Sequence, residues 1–73
     1  MEYKLVKIKN YYISVDNIFS IEDRYDEDKT VVVHFFNDQK TIIKYEEDEE
    51  YQFKKDMTLL GYLCPNIKYN RGY

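Results

Sequence analysis

Glycine, proline, cysteine and histidine are nearly missing from this chain: it holds two glycines, one proline, one cysteine and one histidine, and no tryptophan. With a single thiol, Cys64, no internal disulfide can form. A secreted domain this small normally carries several, so a reducing, cytoplasmic setting is expected. Neither Gly61 nor Gly72 stands between a strand and a helix, which excludes a glycine-rich phosphate loop. Cys64 and His34 cannot by themselves supply the four ligands of a structural zinc site. The loop Asp26-Glu27-Asp28 lacks the alternating order, the glycine and the later bidentate acid of a calcium hand. No apolar run approaches the ~20 residues that cross a bilayer. Lysines interrupt the apolar residues of the N-terminal stretch, unlike a signal peptide. No metal, cofactor or membrane association is expected.

What the chain does have is tyrosine and unevenly placed charge. Its 73 residues suffice for one core, so residues 1–73 are read as a single domain. Hydrophobic residues make up 44%, enough to argue against disorder. Nine tyrosines supply most of the aromatic surface, and a ring with a polar tip can sit half-exposed at a contact surface. Residues 1–15 carry a net charge of +2, with Glu2 against Lys4, Lys7 and Lys9. Residues 16–51 set twelve acids against Arg24, Lys29, Lys40 and Lys44, a net of −8. Residues 52–73 return to +3 through Lys54, Lys55, Lys68 and Arg71 against Asp56. Such asymmetry bears on partners and association rates.

The hydrophobic pattern predicts an α+β domain: an antiparallel meander of five strands over 3–9, 11–15, 18–25, 30–36 and 40–45, then one helix over 47–60 packed on a sheet face. Residues 30–36 are the strongest strand, rich in valine and phenylalanine. In the strand 18–25, Phe19 and Ile21 are placed on the same side. Turns are expected at Lys9-Asn10, Asp16-Asn17 and Asn37-Asp38-Gln39, with a polar loop at 26–29. Phe53, Met57 and Leu60 recur at the spacing of one buried helical stripe, and acids crowd the helix start. Gly61 is expected to end the helix, and Pro65 to keep it from resuming. Residues 62–73 form a tail, docked in extended form or loose.

Chemistry-bearing groups are few. His34, flanked by Val32 and Phe36, is read as a half-buried packing residue, and Cys64 as a small buried hydrophobe. A Cys64–His34 pair is weakly motivated, because a catalytic constellation also needs an orienting acid within reach. The chain is therefore read as a non-enzyme. The run Glu46-Glu47-Asp48-Glu49-Glu50 exceeds what a helix start needs. Together with Asp23, Asp26, Glu27 and Asp28, and with Tyr25 and Tyr51 as aromatic anchors, it is expected to form a surface for a protein partner with a basic site. Carboxylates spaced over a rigid frame can imitate a row of phosphates.

Two other classes stand beside this one. Lys4, Lys7 and Lys9 with Tyr3, Tyr11 and Tyr12, and the Lys68, Tyr69, Arg71, Tyr73 ending, could hold single-stranded nucleic acid, although the acidic balance opposes phosphate binding. An accessory subunit of a larger assembly is the third class, and exposed strand edges could pair the chain into a homodimer. In tiny size, single domain, missing catalytic groups and clustered acids at 23–28 and 46–50, the chain resembles the short phage and mobile-element inhibitors of host defence, the anti-CRISPR type among them. That resemblance implies a DNA-mimicking inhibitor. In hydrophobic pattern alone the chain is similar to small flagellar accessory proteins, which implies the assembly role.

Overall fold

A computed structural model describes residues 5–65 and 67–71, the last four of these by main chain alone. The chain runs β1 (Leu5–Ile8), β2 (Tyr11–Ser14), a short 3-10 turn (Val15–Asn17), β3 (Ile18–Arg24), α1 (Tyr25–Asp28), β4 (Thr30–Phe35), β5 (Lys40–Lys44), α2 (Glu50–Leu63) and β6 (Lys68–Arg71). The class is α+β, with the five expected antiparallel strands and one long helix.

The strands do not form one continuous meander. Among the described residues β1 and β2 pair only with each other, while the main sheet has the order β5-β4-β3-β6. The added strand β6 lies parallel to β3, with Ser20 opposite Lys68 and Asp23 opposite Arg71. The tail is thus docked as a strand over 68–71; residues 72–73, like residues 1–4 with the first two positions of the expected strand 3–9, lie outside the described residues.

Local chemistry explains several shifted boundaries. Lys9, not Asn10, takes the left-handed conformation that reverses β1 into β2, at φ 54°. Asp38 does the same at φ 66° in the β4–β5 turn, which has no glycine to do it. The expected loop at 26–29 is a single helical turn closed by Lys29 at φ 61°, whose N–H donates to the Tyr25 carbonyl at 3.1 Å. α2 starts later than expected, because the chain first makes a turn in which the Glu49 N–H donates to the Glu46 carbonyl at 3.0 Å. It also runs on through Gly61 to Leu63, so Gly61 is an ordinary helical position and the stop comes at Cys64 and Pro65.

Alternation places Ile21, Val31, Val33 and Ile43 of the main sheet in the core, against Leu60 of α2 and Cys64 just past its end. The β1–β2 hairpin adds Ile8 and Ile13 to the same cluster. Helix and hairpin therefore cover one face of the sheet. The expected stripe of Phe53, Met57 and Leu60 does point inward. In β3 the phase breaks. Ile18 pairs with Phe35 and Ser20 with the adjacent His34, leaving Phe19 as the extra residue of a bulge. Ile18 and Ile21 are buried as a result, and Phe19 is turned outward, where it meets exposed Phe36 edge-on at 5.4 Å between centroids. Phe19 and Ile21 do not share a side.

The other face of the sheet is open and polar. Glu22, Arg24, Thr30, Val32, His34, Lys40 and Ile42 surround a shallow depression of about 270 Å³ there. Among the described residues no helix is long and apolar enough to cross a membrane.

Candidate functional site

Three rings organise one end of the molecule. Tyr25 opens α1, Tyr45 follows β5, and Phe53 lies in the first turns of α2. Tyr25 stacks on Phe53 with centroids 4.0 Å apart, and Tyr45 meets both rings edge-on at 6.1 and 5.6 Å. Each such aromatic pair contributes about 0.5–1.5 kcal/mol beyond its burial. The Tyr45 N–H donates to the Lys29 carbonyl at 2.8 Å, continuing the β4–β5 ladder past Thr30 and Lys44. The segments 23–28 and 46–50, distant in sequence, are therefore held at the same end of the sheet.

The expected anchor Tyr25 is a core ring: it is 6% exposed, and the Lys29 ammonium sits 4.6 Å from its centroid. A partner has no access to it, because the stacking with Phe53 needs its face. Tyr51, by contrast, is 79% exposed at the start of α2.

The acids divide into tied and presented groups. Asp23 accepts the Tyr25 N–H at 3.0 Å, an Asx turn that starts α1. Arg24 draws three carboxylates around itself: Glu22 at 3.2 Å, Glu27 at 3.2 Å and Asp28 at 3.3 Å. Asp28 also accepts the Thr30 hydroxyl, and this bond, followed by Arg24, holds its carboxyl below the usual range. Glu49 is the most engaged of the second run. It accepts the Lys9 ammonium at 2.8 Å and the Glu46 N–H at 2.7 Å, and both lower its pKa, Lys9 the more. Glu50 reaches Lys54 at 3.7 Å across an exposed helix face, a contact of little weight. Glu46, Glu47 and Asp48 are exposed and make no ion pair among the described residues. Asp26 is exposed in α1.

Lys9 was not singled out by the sequence as a binding group for the protein's own acids. Besides Glu49 it donates to the Lys44 carbonyl at 2.6 Å and lies 5.3 Å from the Tyr45 centroid. The ammonium thus fastens the β1–β2 turn to the end of β5 and to the entry of α2. It is also removed from the lysines expected to meet nucleic acid; Lys7 lies over the Tyr12 ring at 5.9 Å, and Lys4 is outside the described residues. Replacing Lys9 by methionine is expected to lower the melting temperature at neutral pH. Glu49 has a lower pKa folded than unfolded, so its share of stability is full above the unfolded value of about 4.3 and is lost as pH falls through the folded one. The gap between wild type and K9M in thermal melts should accordingly narrow as pH is lowered past about 4, leaving the share due to the Lys44 carbonyl and the Tyr45 ring.

Two further groups lie elsewhere. His34 faces the open side of the sheet, with Nε2 3.2 Å from Glu22 Oε1, and that bond is the first cause of the lowered Glu22 pKa. Cys64 is buried in the core cluster, where desolvation raises its thiol pKa. The two are on opposite sides of the sheet and form no pair. Among the described residues no cluster of three metal-ligating side chains exists.

A group not singled out from the sequence is Asp56, 4% exposed on the inner side of α2. Its Oδ2 accepts the Tyr45 hydroxyl at 2.8 Å and its Oδ1 accepts the Gln52 amide at 2.7 Å. Burial, then the hydrogen bond and charge of Asp56, push the Tyr45 phenol far above its ordinary range. This is a framework contact that fixes the aromatic trio beneath the acids. Its signal was present: an acid between Phe53 and Leu60 falls within the buried stripe and must find a donor. No family model matches the chain, and no curated protein or solved structure matches it either.

Proposed function

We propose that the chain is a non-enzymatic protein-binding module whose acidic end occupies a cationic site on a partner, as an inhibitor or regulator would. The observation that carries this reading is the Tyr45–Lys29 main-chain bond, which brings the two acidic segments to one end of the sheet. Arg24 and Lys9 offset Glu27, Asp28 and Glu49, so the effective surface is narrower than the acid count: Glu46, Glu47, Asp48 and Glu50, with Tyr51 beside them. A rigid row of carboxylates next to an exposed phenol suits a groove lined with lysine and arginine, and the partner's own nucleic-acid site is the most natural such groove. A cytoplasmic anti-defence inhibitor of the anti-CRISPR type is the specific form proposed.

The test is affinity purification from the native host at graded salt, comparing wild type with the E46Q/E47Q/D48N/E50Q variant. Glu49 is left intact because Lys9 and the Glu46 N–H depend on it. A basic partner should be retained at low salt, released by about 0.5 M salt, and missed by the variant. A partner that the variant holds as firmly as wild type would sink the proposal.

A further inference from the structure

Strand β5 forms one edge of the main sheet, and among the described residues no strand pairs with its outer side. The hydrogen-bond phase fixes which groups that side presents. The Gln39 carbonyl accepts the Phe35 N–H at 2.8 Å, and the Tyr45 N–H donates to the Lys29 carbonyl at 2.8 Å. These positions bracket the strand and turn their main chain toward β4, so Thr41 and Ile43 between them do the same. The N–H and C=O groups of Lys40, Ile42 and Lys44 therefore point away from the sheet. Lys9 agrees with that direction: its ammonium reaches the Lys44 carbonyl from outside the β4–β5 ladder, at 2.6 Å. The other main-chain groups of these residues have no hydrogen-bond partner among the described residues.

Their side chains lie on the open face of the sheet. Lys40 and Ile42 line the depression there, beside their β4 partners His34 and Val32. Lys44 follows in the same phase, opposite Thr30. Ile42 is 49% exposed. Both lysines are exposed, and neither makes an ion pair among the described residues. The strand has no proline, and its register with β4 runs without the shift that bends β3. The result is a regular open edge with cation, apolar side chain and cation in a row, ~13 Å from end to end.

Lysines on an edge strand oppose aggregation. Here they also choose among partners. A second copy paired antiparallel about Ile42 would set Lys40 against Lys44, like charges directly opposed. A strand with an acid, an apolar residue and an acid at alternate positions meets the same row with opposite charges at both ends. We propose that the outer edge of β5 binds an extended acidic segment of a partner protein as an added antiparallel strand, with carboxylates opposite Lys40 and Lys44 and an apolar side chain against Ile42. The antiparallel sense sets these side chains directly opposite one another. A ladder this short binds weakly, and salt weakens it further. The edge is cationic and shares no residue with the acidic surface proposed above, so either idea can fail without the other.

The test titrates the purified, 15N-labelled chain with an end-blocked seven-residue peptide. The peptide is threonine throughout, except for glutamate at its second and sixth positions and valine at its fourth. Amide shifts in NMR spectra should centre on Lys40, Ile42 and Lys44. N-methylation of the valine, whose N–H must face β5, should weaken binding by about tenfold or more. N-methylation of the threonine after it, whose N–H faces away, should change binding little. Moving both glutamates next to the valine keeps the charge but carries them to the other face, and should also weaken binding. K40E/K44E, shown to be folded by circular dichroism, should lose about tenfold in affinity for this peptide and bind instead the one with lysine at both glutamate positions. A chain whose β5 amides do not respond to millimolar peptide overturns the proposal. So does equal binding of the two N-methylated peptides. Shifts at the same amides on concentrating the chain alone would give the edge to a second copy, and a stronger response to single-stranded oligothymidine than to the peptide would make the lysines a phosphate site; either result overturns it as well.

Discussion

Tyr45→Phe is expected to destabilise the fold by about 2–3 kcal/mol, far more than the loss of one oxygen atom would suggest. The phenol is 2% exposed and donates to a carboxylate that is itself 4% exposed. Deleting the hydroxyl leaves the Asp56 charge with Gln52 as its remaining side-chain donor, in surroundings that solvate it poorly. The comparison variants make the cause separable. D56N keeps an acceptor for the phenol and should cost less than Y45F. The double variant Y45F/D56L removes donor and acceptor together, and should recover most of the loss. If Y45F proves neutral in urea melts, the buried pair contributes nothing and its placement is incidental. The pH dependence carries the same signature. The folded phenol keeps its proton to higher pH than an unfolded one, whose pKa is about 10. Above pH ~10 the unfolded chain releases a proton that the folded chain retains, so stability should fall as pH rises, and Y45F should lack that part of the decline.

Leu60→Ala is expected to cost about 2–5 kcal/mol, the range for truncating a leucine in a well-packed core. Leu60 is 0% exposed and belongs to the cluster that joins α2 to the main sheet and the hairpin. The sheet holds Ile21, Val33 and Ile43 at fixed positions around it, so the cavity cannot easily collapse. A domain of 73 residues has a small reserve of stability. The expected readout is a melting temperature lower by about eight degrees or more, on the order of 4–8 °C per kcal/mol. A shift of under two degrees would show that α2 is not the lid of this core.

The strands and the helix were legible because their signals are cumulative. Val31-Val32-Val33 and Ile42-Ile43 state a sheet through β-branched residues, and Phe53, Met57 and Leu60 state a helix through their interval. The bulge at Phe19 has no comparable signal, since alternation through Ile18, Phe19, Ser20 and Ile21 reads as well without it. β6 is four residues of KYNR, short and polar, and gains strand geometry only from the neighbour it docks on. The candidate site was legible in composition but not in balance. Sequence counts the acids of 23–28 as one block, yet Arg24 sits among them with Glu22, Glu27 and Asp28 within reach in space. The reach of Lys9 to Glu49 joins positions forty residues apart, which no local pattern can express. Tyr25 could not be told from Tyr51 by type or neighbours. Their difference, buried against exposed, is decided by the stacking on Phe53.

The parallel docking of β6 on β3 has a consequence for the order in which the molecule assembles. Ser20 waits for Lys68, so the main-chain groups of Ser20–Asp23 stay unpaired on that side until α2 has formed and brought the following segment back across the sheet. During that interval β3 is a bare template for strands of other chains. The docking of residues 68–71 therefore serves as a guard against aggregation as much as a source of stability.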